Sequence, residues 1–385
     1  MFLLSMKIGI VCYPTFGGSG VVATELGKAL AVRGHEVHFV SYSQPARLDI
    51  FSENIFYHEV SVLQYPLFDY APYETALAGK IVDITKTVSL DLVHVHYAIP
   101  HASAALLAKL ILQSEGITLP VVTTLHGTDI TLVGRESTFE DVVRWSIENS
   151  DAVTAVSDSL RRDTELHFHT KRSIDVIPNF IDFDRFNKKA KDHFKKAIAP
   201  NGERILIHTS NFRKVKRVGD VLDIFCKVSE RIPSKLLLIG DGPERSHIER
   251  AAREMQCSDK ILFLGKQEAI EEILSVGDLF LLPSETESFG LAALEAMACE
   301  VPVVSSNTGG IPEVNVHGVT GYLSEVGDID DMAANALKIF ADDATLNAFK
   351  QRAFNHAKQF DLNLILQDYE AVYRRVVGGS VAGTA

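Results

Sequence analysis

The chain has 385 residues, 46% of them hydrophobic, and a formal net charge of −12. That is enough apolar material for two domains with cores of their own. The acidic balance argues against broad nucleic-acid binding and against attachment to an anionic membrane, since both call for basic faces. The expected helices at 73–89 and 98–114 carry only Lys80, Lys86 and Lys109 as cations. No apolar run reaches transmembrane length. The first residues, Met1 to Lys7, lack a charged n-region and a cleavage site and lead into a strand, so no leader is expected. Cys12, Cys226, Cys257 and Cys299 are scattered, with no Cys-x-x-Cys pair. They read as buried thiols of a reducing cytoplasm.

Residues 7–12 form an apolar run of strand composition, followed by the turn Phe16-Gly17-Gly18-Ser19-Gly20 and a helix over 21–33 that Gly34 stops. A glycine-rich strand-to-helix turn early in an alternating chain is a place where ligands meet a parallel sheet. It lacks the Gly-x-Gly-x-x-Gly spacing and the acidic ribose partner of a dinucleotide site, so no nicotinamide or flavin cofactor is expected. A tight turn and a ligand contact explain it equally well. Strands at 37–41, 92–96, 121–125, 152–156 and 174–177 then alternate with helices from Ile99, to Asn149 and from Asp158. Pro178-Asn179-Phe180-Ile181-Asp182 breaks this rhythm and opens a Lys-rich polar stretch to Lys196, which marks a domain boundary.

The alternation resumes with strands at 204–209, 235–240, 261–264, 279–282 and 301–305. Helices end near Arg231, begin at Glu244 and Ala269, and cover 291–297, 344–359 and 362–377. Gly378 onward reads as a frayed tail. Two successive runs of strand and helix predict an α/β chain of two doubly wound, Rossmann-like domains facing across a cleft.

Three strand ends in the second half carry chemistry. The run 279–282 stops at Pro283, and a polar loop delivers Glu287 to the sheet mouth before a helix that carries Glu295. Free N–H groups at Phe289, Gly290 and Leu291 would face the same space and favour an anion. Ordinary helix capping explains the same residues. Ser210-Asn211-Phe212-Arg213-Lys214-Val215-Lys216-Arg217 sets four cations after another strand, either a diphosphate clamp or a solvated basic turn. Gly240-Asp241-Gly242-Pro243 closes a third. In the first half, Thr124-Leu125-His126-Gly127-Thr128-Asp129 ends one strand and His94-Val95-His96-Tyr97 another. The His-x-His spacing admits zinc, but no carboxylate or cysteine matches it, and strand alternation accounts for it without a metal. Nothing resembles a nucleophile elbow, a Walker loop or a Cys–His pair.

Taken together, Glu287 and Glu295 within Glu-Ser-Phe-Gly-Leu-Ala-Ala-Leu-Glu resemble the paired-glutamate motif of glycosyltransferase family 4. The basic run, Gly-Asp-Gly-Pro, His-Gly-Thr-Asp and Asn307-Thr308-Gly309-Gly310-Ile311-Pro312-Glu313 fall in that family's order. The resemblance implies the GT-B fold. It assigns 1–180 to an acceptor-binding domain to which helix 362–377 crosses back, and 181–361 to a UDP-sugar domain. Residues 378–385 are left as a tail. Cys12 to Gly20, Val93 to His101 and Thr124 to Thr131 are most similar to the branch that moves GlcNAc from UDP-GlcNAc to L-malate in bacillithiol biosynthesis.

In that reading Glu295 holds the ribose hydroxyls, Glu287 the sugar hydroxyls, and Arg213 and Lys216 neutralise the leaving diphosphate. Gly18, Ser210, Asn211, Gly240, Phe289, Gly290 and Leu291 complete the donor set. His126 faces the transferred sugar, and Ser19, Tyr97, Thr124, His126 and Arg144 are the malate candidates. A retaining, front-face, metal-independent transfer is implied. The family's usual Asn-Gly at the hinge is Asn179-Phe180 here, a departure that bears on acceptor choice. No nucleic acid or membrane partner is expected, and a homo-oligomer is allowed. Rival readings are a family-4 transferase with a polysaccharide or lipid acceptor, a UDP-GlcNAc epimerase of the same architecture, and a non-catalytic sugar-nucleotide sensor.

Overall fold

The computed structural model describes residues 5–15, 17–62, 71–189 and 192–382. Met1 to Leu4, Phe16 of the glycine-rich turn, Ala190 and Lys191 of the polar stretch and Gly383 to Ala385 of the expected tail lie outside the described residues. Two compact units divide the chain, one running to Asn179 and resuming at Leu362, the other spanning Phe180–Asp361.

Unit 1 builds β1 (Lys7–Val11), α1 (Ser19–Val32), β2 (Glu36–Ser41), β3 (Ile55–Glu59), α2 (Tyr73–Val88) and β4 (Leu92–His96). It continues with α3 (Ser103–Ser114), β5 (Val121–Leu125), α4 (Ser137–Asn149), β6 (Ala152–Ala155), α5 (Asp158–Phe168) and β7 (Ile174–Val176). The strands form one parallel sheet in the order β3-β2-β1-β4-β5-β6-β7. Strands β4 and β5 are buried at every position, as central parallel strands covered on both faces must be.

Unit 2 builds α6 (Asp192–Ile198), β8 (Arg204–Ser210), α7 (Val218–Ser229), β9 (Ser234–Gly240), α8 (Arg245–Glu254), β10 (Ile261–Gly265) and α9 (Ile270–Leu274). It continues with β11 (Leu279–Leu282), α10 (Leu291–Ala298), β12 (Val303–Ser306), α11 (Ile311–Val314), β13 (Gly321–Ser324), α12 (Ile329–Ile339) and α13 (Asp343–Ala357). Its parallel sheet has the order β10-β9-β8-β11-β12-β13. Leu206, Leu236, Leu238, Leu279 and Leu281 pack from its strands against Val221, Phe225 and Val228 of α7 and Met332 and Ile339 of α12.

The last helix, α14 (Leu362–Ala382), belongs to unit 1. It buries Ile365, Leu366, Tyr369, Val372, Tyr373 and Val376, a helical stripe that seats it beside α1. Tyr373 hydroxyl lies 2.8 Å from His94 Nδ1, and Arg33 Nη1 lies 3.3 Å from Glu370 Oε2.

Four expectations change. The tail expected from Gly378 is helical as far as Ala382. The helix expected from Ile99 becomes regular only at Ser103, because Ile99 is extended (φ −133°, ψ 142°) before a cis Ile99–Pro100 bond. The short edge strands β3 and β13 join the sheets unforeseen. Cys226 and Cys257 form a disulfide, with Cα atoms 5.8 Å apart, while Cys12 and Cys299 remain free and buried. No helix among the described residues is long and apolar enough to cross a membrane.

Candidate active site

In unit 2 the strand order reverses between β8 and β11, and ligands of open parallel sheets bind beyond the carboxyl ends at such a point. Strand β11 is wholly buried and ends at Pro283, which has no N–H to continue the ladder. The chain then turns into α10 through Gly290, whose φ of 96° suits glycine and strains any other residue. The N–H groups of Phe289, Gly290 and Leu291 find no protein acceptor among the described residues. The positive end of α10 is therefore open to an anion.

Two neighbouring loops hold this segment in place. The Glu285 N–H donates to the Val215 carbonyl at 2.8 Å. Lys216 Nζ lies 2.5 Å from Glu287 Oε1, with the two side chains 20% and 15% exposed. The Ser284 hydroxyl donates to the same carboxylate oxygen at 3.2 Å. From the other side, the Gly310 N–H donates to the Glu287 carbonyl at 2.9 Å. A Cβ on Gly309 would lie 2.0 Å from that carbonyl oxygen, and one on Gly310 would lie 2.3 Å from the Ser288 carbonyl oxygen. Backbone contact this close is open only to glycine. Glu295 sits half-buried on the second turn of α10.

The other donor-side residues divide. Asn211 and Arg213 are exposed on the loop after β8, and Arg213 has no ion pair among the described residues. His208 Nδ1 donates to the Leu281 carbonyl at 2.9 Å, so its Nε2 accepts the Ser210 hydroxyl proton at 2.9 Å. The Ser210 oxygen in turn accepts from the Phe212 N–H at 3.3 Å. Ser210 thus folds the loop while staying half-buried at the strand end, where the donor role expected of it remains open to a ligand. A Cβ on Gly240 would lie 1.8 Å from the Ser210 carbonyl oxygen, so close backbone approach alone accounts for that glycine.

In unit 1 the order reverses between β1 and β4. Gly18 caps α1 at φ 55°, and the Ser19 hydroxyl lies 2.7 Å from the Tyr97 hydroxyl. Tyr97 itself stands at φ 88°, a strain of about 1–3 kcal/mol that the surroundings must hold. Asp129 supplies part of that hold: buried, it accepts the N–H of Ala98 at 2.8 Å and of Gly127 at 3.0 Å. Burial pushes its carboxyl up to about 6.

Four buried histidines, His94, His96, His101 and His126, line the same strand ends. Burial drives His94 and His126 down to about 3, His101 to about 4 and His96 well below its usual value, so all four are neutral. His101 Nδ1 donates to the His96 carbonyl at 2.5 Å, and His96 Nδ1 lies 2.8 Å from His126 Nε2. His96 Nε2 is sealed without a hydrogen-bond partner among the described residues. A buried orphan N–H is costlier than an orphan lone pair, so we assign the His96 proton to Nδ1. His126 Nε2 then accepts, and its own proton sits on Nδ1, the one of its nitrogens left unengaged among the described residues.

Thr124 is corrected. It is fully buried, and its hydroxyl bridges His94 Nε2 and Thr154 Oγ1, each at 2.7 Å, leaving it inside the sheet. Arg144 lies on the exposed face of α4, paired with Asp141. His94 and His96 are occupied by side-chain hydrogen bonds, and no group of three or more metal-binding side chains occurs among the described residues. Sequence reasoning missed His96, Asp129 and the Gly309-Gly310 clasp. The glycine pair was the one visible signal for the last.

Residues 16–185 match the family described as Glycosyltransferase Family 4, and residues 189–356 match Glycosyl transferases group 1. The N-acetyl-alpha-D-glucosaminyl L-malate synthase of Bacillus anthracis is 47% identical over 376 residues, 97% of this chain and 98% of the relative. The chain belongs to glycosyltransferase family 4. An uncharacterized glycosyltransferase of Methanocaldococcus jannaschii is 26% identical over 92% of this family-4 chain and 93% of its own. Among solved structures, a glycosyltransferase from Rickettsia africae matches with a TM-score of 0.81 at 19% identity, covering 97% of this chain and 99% of that one. HepE of Anabaena, solved with UDP and glucose, matches at 0.78 and 21% identity, covering 94% and 98%. The fold of this family-4 glycosyltransferase is GT-B.

Proposed function

We propose that this glycosyltransferase moves N-acetylglucosamine from UDP-GlcNAc to the hydroxyl of L-malate, retaining the α configuration and releasing UDP, as the first step of bacillithiol biosynthesis in the cytoplasm. The observation that carries the acceptor is the 47% identity along nearly the whole length of a synthase named for that product.

Unit 2 holds the donor. The diphosphate meets the open N–H groups of Phe289, Gly290 and Leu291, with Lys216 and Arg213 facing the charge that grows on UDP as the glycosidic bond breaks. Glu295 takes the ribose hydroxyls and Glu287 the sugar hydroxyls, its carboxylate held by Lys216 and Ser284. Because these cations and dipoles neutralise the leaving group, the reaction calls for no divalent metal.

Unit 1 serves the acceptor through Ser19, Tyr97 and His126. A neutral His126 with its proton on Nδ1 is a donor, suited to a sugar or malate oxygen and unable to act as a base at that atom. The malate hydroxyl proton passes instead to a phosphate oxygen of the departing UDP, on the face where the new bond forms. Retention then needs no carboxylate nucleophile of the glycosidase kind.

The test is UDP release from UDP-GlcNAc with and without L-malate, in EDTA, with glycerol and a lipid acceptor as controls. Malate-dependent release that survives EDTA, with GlcNAc-malate identified by mass, is the expected result. Release without malate, or with lipid alone, overturns the acceptor. An epimer formed in malate's absence overturns the transfer.

A further inference from the structure

Asp129 is a carboxylate with 2% of its surface exposed and no ion pair to Lys, Arg or His among the described residues. A buried charge without a counter-ion is costly unless hydrogen bonds meet it. Here the backbone meets it. Oδ2 accepts the Ala98 N–H at 2.8 Å and Oδ1 the Gly127 N–H at 3.0 Å. The N–H groups of Asp129 itself and of His126 add to the stabilisation of the charge. Ala98 stands just past the end of β4 and Gly127 just past the end of β5, two strands that pair in the sheet. One side chain thus ties two neighbouring strand ends together.

The tie falls beside two of the residues given the acceptor, Tyr97 and His126. Tyr97 stands at φ 88° and ψ 137°, and it is held there from both sides. Its own N–H donates to the Thr124 carbonyl at 2.9 Å, and the next N–H, that of Ala98, goes to Asp129. Because ψ of Tyr97 sets where the Ala98 N–H points, the carboxylate fixes that torsion directly. A strained torsion persists only where its surroundings over-determine it. Beyond β5, Gly127 follows His126 at φ 108°, and the same carboxylate holds its N–H. Between these ties the rings of Tyr97 and His126 lie 5.2 Å apart, and the Tyr97 hydroxyl lies 2.7 Å from that of Ser19. We propose that Asp129 is the positioning residue of the acceptor side, locking Tyr97 and His126 in the arrangement that brings the malate hydroxyl, rather than water, to the anomeric carbon. This rests on the functional reading above and adds to it the group that decides between transfer and hydrolysis. An amide cannot stand in for the carboxylate, since the Asn NH2 would face one of the two N–H donors and leave one strand end untied.

The experiment measures UDP and GlcNAc-malate together in the full-length protein, so that UDP released without product counts hydrolysis. Asp129→Asn should lower transfer about 10²-fold, the scale for a reacting group displaced by roughly 1 Å, and raise the KM for malate. Hydrolysis without malate and the KM for UDP-GlcNAc should stay near wild type, because unit 2 meets the donor. Asp129→Ser, which keeps one oxygen, should show the same split with a smaller loss. Joined to Tyr97→Phe, Asp129→Asn should cost less than the product of the two single losses, since both act through one ring. Asp151→Asn is the structural control. Its carboxylate accepts the Val121 N–H at 2.7 Å and so holds the opposite end of β5. Rates per mole of UDP-binding protein should be unchanged in that variant, even where its melt falls. Equal loss of transfer and hydrolysis in both Asp129 variants overturns the inference, as does a full product of losses with Tyr97→Phe. A wild type that makes no GlcNAc-malate overturns the functional reading and this inference with it.

Discussion

Lys216 Nζ and Glu287 Oε1 are 2.5 Å apart across the mouth of the unit 2 sheet, joining the loop after β8 to the loop after β11. The ammonium orients the carboxylate, and the carboxylate holds the ammonium against the loop after β11. Lys216→Ala should therefore lower kcat by about 10²-fold, the scale for losing one preorganised charge at a leaving group. Donor KM should change less. Initial rates of UDP release give both numbers, and a normal kcat would remove Lys216 from the chemistry. Arg213→Ala should act in the same direction but more weakly, because its exposed position is better screened.

Glu295→Ala should mainly raise the KM for UDP-GlcNAc, about tenfold, with kcat largely kept. A ribose hydrogen bond of equal strength in ground and transition states acts that way. Isothermal titration with UDP alone checks it independently, since the loss must already be present for the product nucleotide. Unchanged UDP affinity would refute the ribose assignment.

His96→Leu should cost about tenfold or more in kcat through the His126 tautomer, with His96→Asn recovering part of it because its amide can donate. Nitrogen-15 shifts of the histidine rings give the direct readout. His126 Nδ1 should be protonated in the wild type and lose that preference in His96→Leu. Finding Nε2 protonated in the wild type contradicts the assignment.

Gly309→Ala should reduce kcat/KM for the donor at least tenfold, because its Cβ would drive into the Glu287 carbonyl. Gly219→Ala is the control: nothing lies within 4 Å of that Cβ, so stability should hold or rise by up to about 1 kcal/mol. Equal kinetics for the two variants would dissociate the clasp from Glu287.

Unfolding free energy should fall on the acid side. His94, His96, His101, His126 and His208 all have folded pKa values below the unfolded value of 6.5. Each binds its proton on unfolding, so the stability they contribute is fully present above about pH 6.5 and lost as pH drops toward 4. Asp129 works the other way, with a folded value of about 6 against 3.8, but it is one group against five. Urea titrations at pH 7.5, 6.5 and 5.5 should show midpoints falling in that order. A flat series would mean that the histidines are not sealed.

The strand ends bearing Glu287 and Lys216 were legible because a buried run halted by proline, or followed by a cluster of cations, has few local explanations. The break near Pro178 showed for a similar reason, as the rhythm of strand and helix stops there. The His96–His126 contact was not legible, since it depends on β4 lying beside β5 with His96 opposite Thr124, a long-range register. Thr124 looked like a ligand because polar residues at strand ends often are. Its inward side chain is set by the Thr154 and His94 it meets across two neighbours. Strand β3 was missed because an edge strand half open to water carries a weak apolar pattern. The Cys226–Cys257 bond joins residues 31 apart that no spacing rule connects.

The return of α14 to unit 1 has a consequence for how the protein is born. His94 leaves the ribosome 279 residues before its partner Tyr373, and Arg33 leaves 337 residues before Glu370. Throughout synthesis of the whole second unit, the nascent first unit lacks the helix whose Tyr373 and Glu370 meet His94 and Arg33. The domain made first is therefore the last to be completed. A ribosome that stalls near Asp361 would release a chain with a finished second unit and an unsealed first unit, ready for a chaperone or a protease.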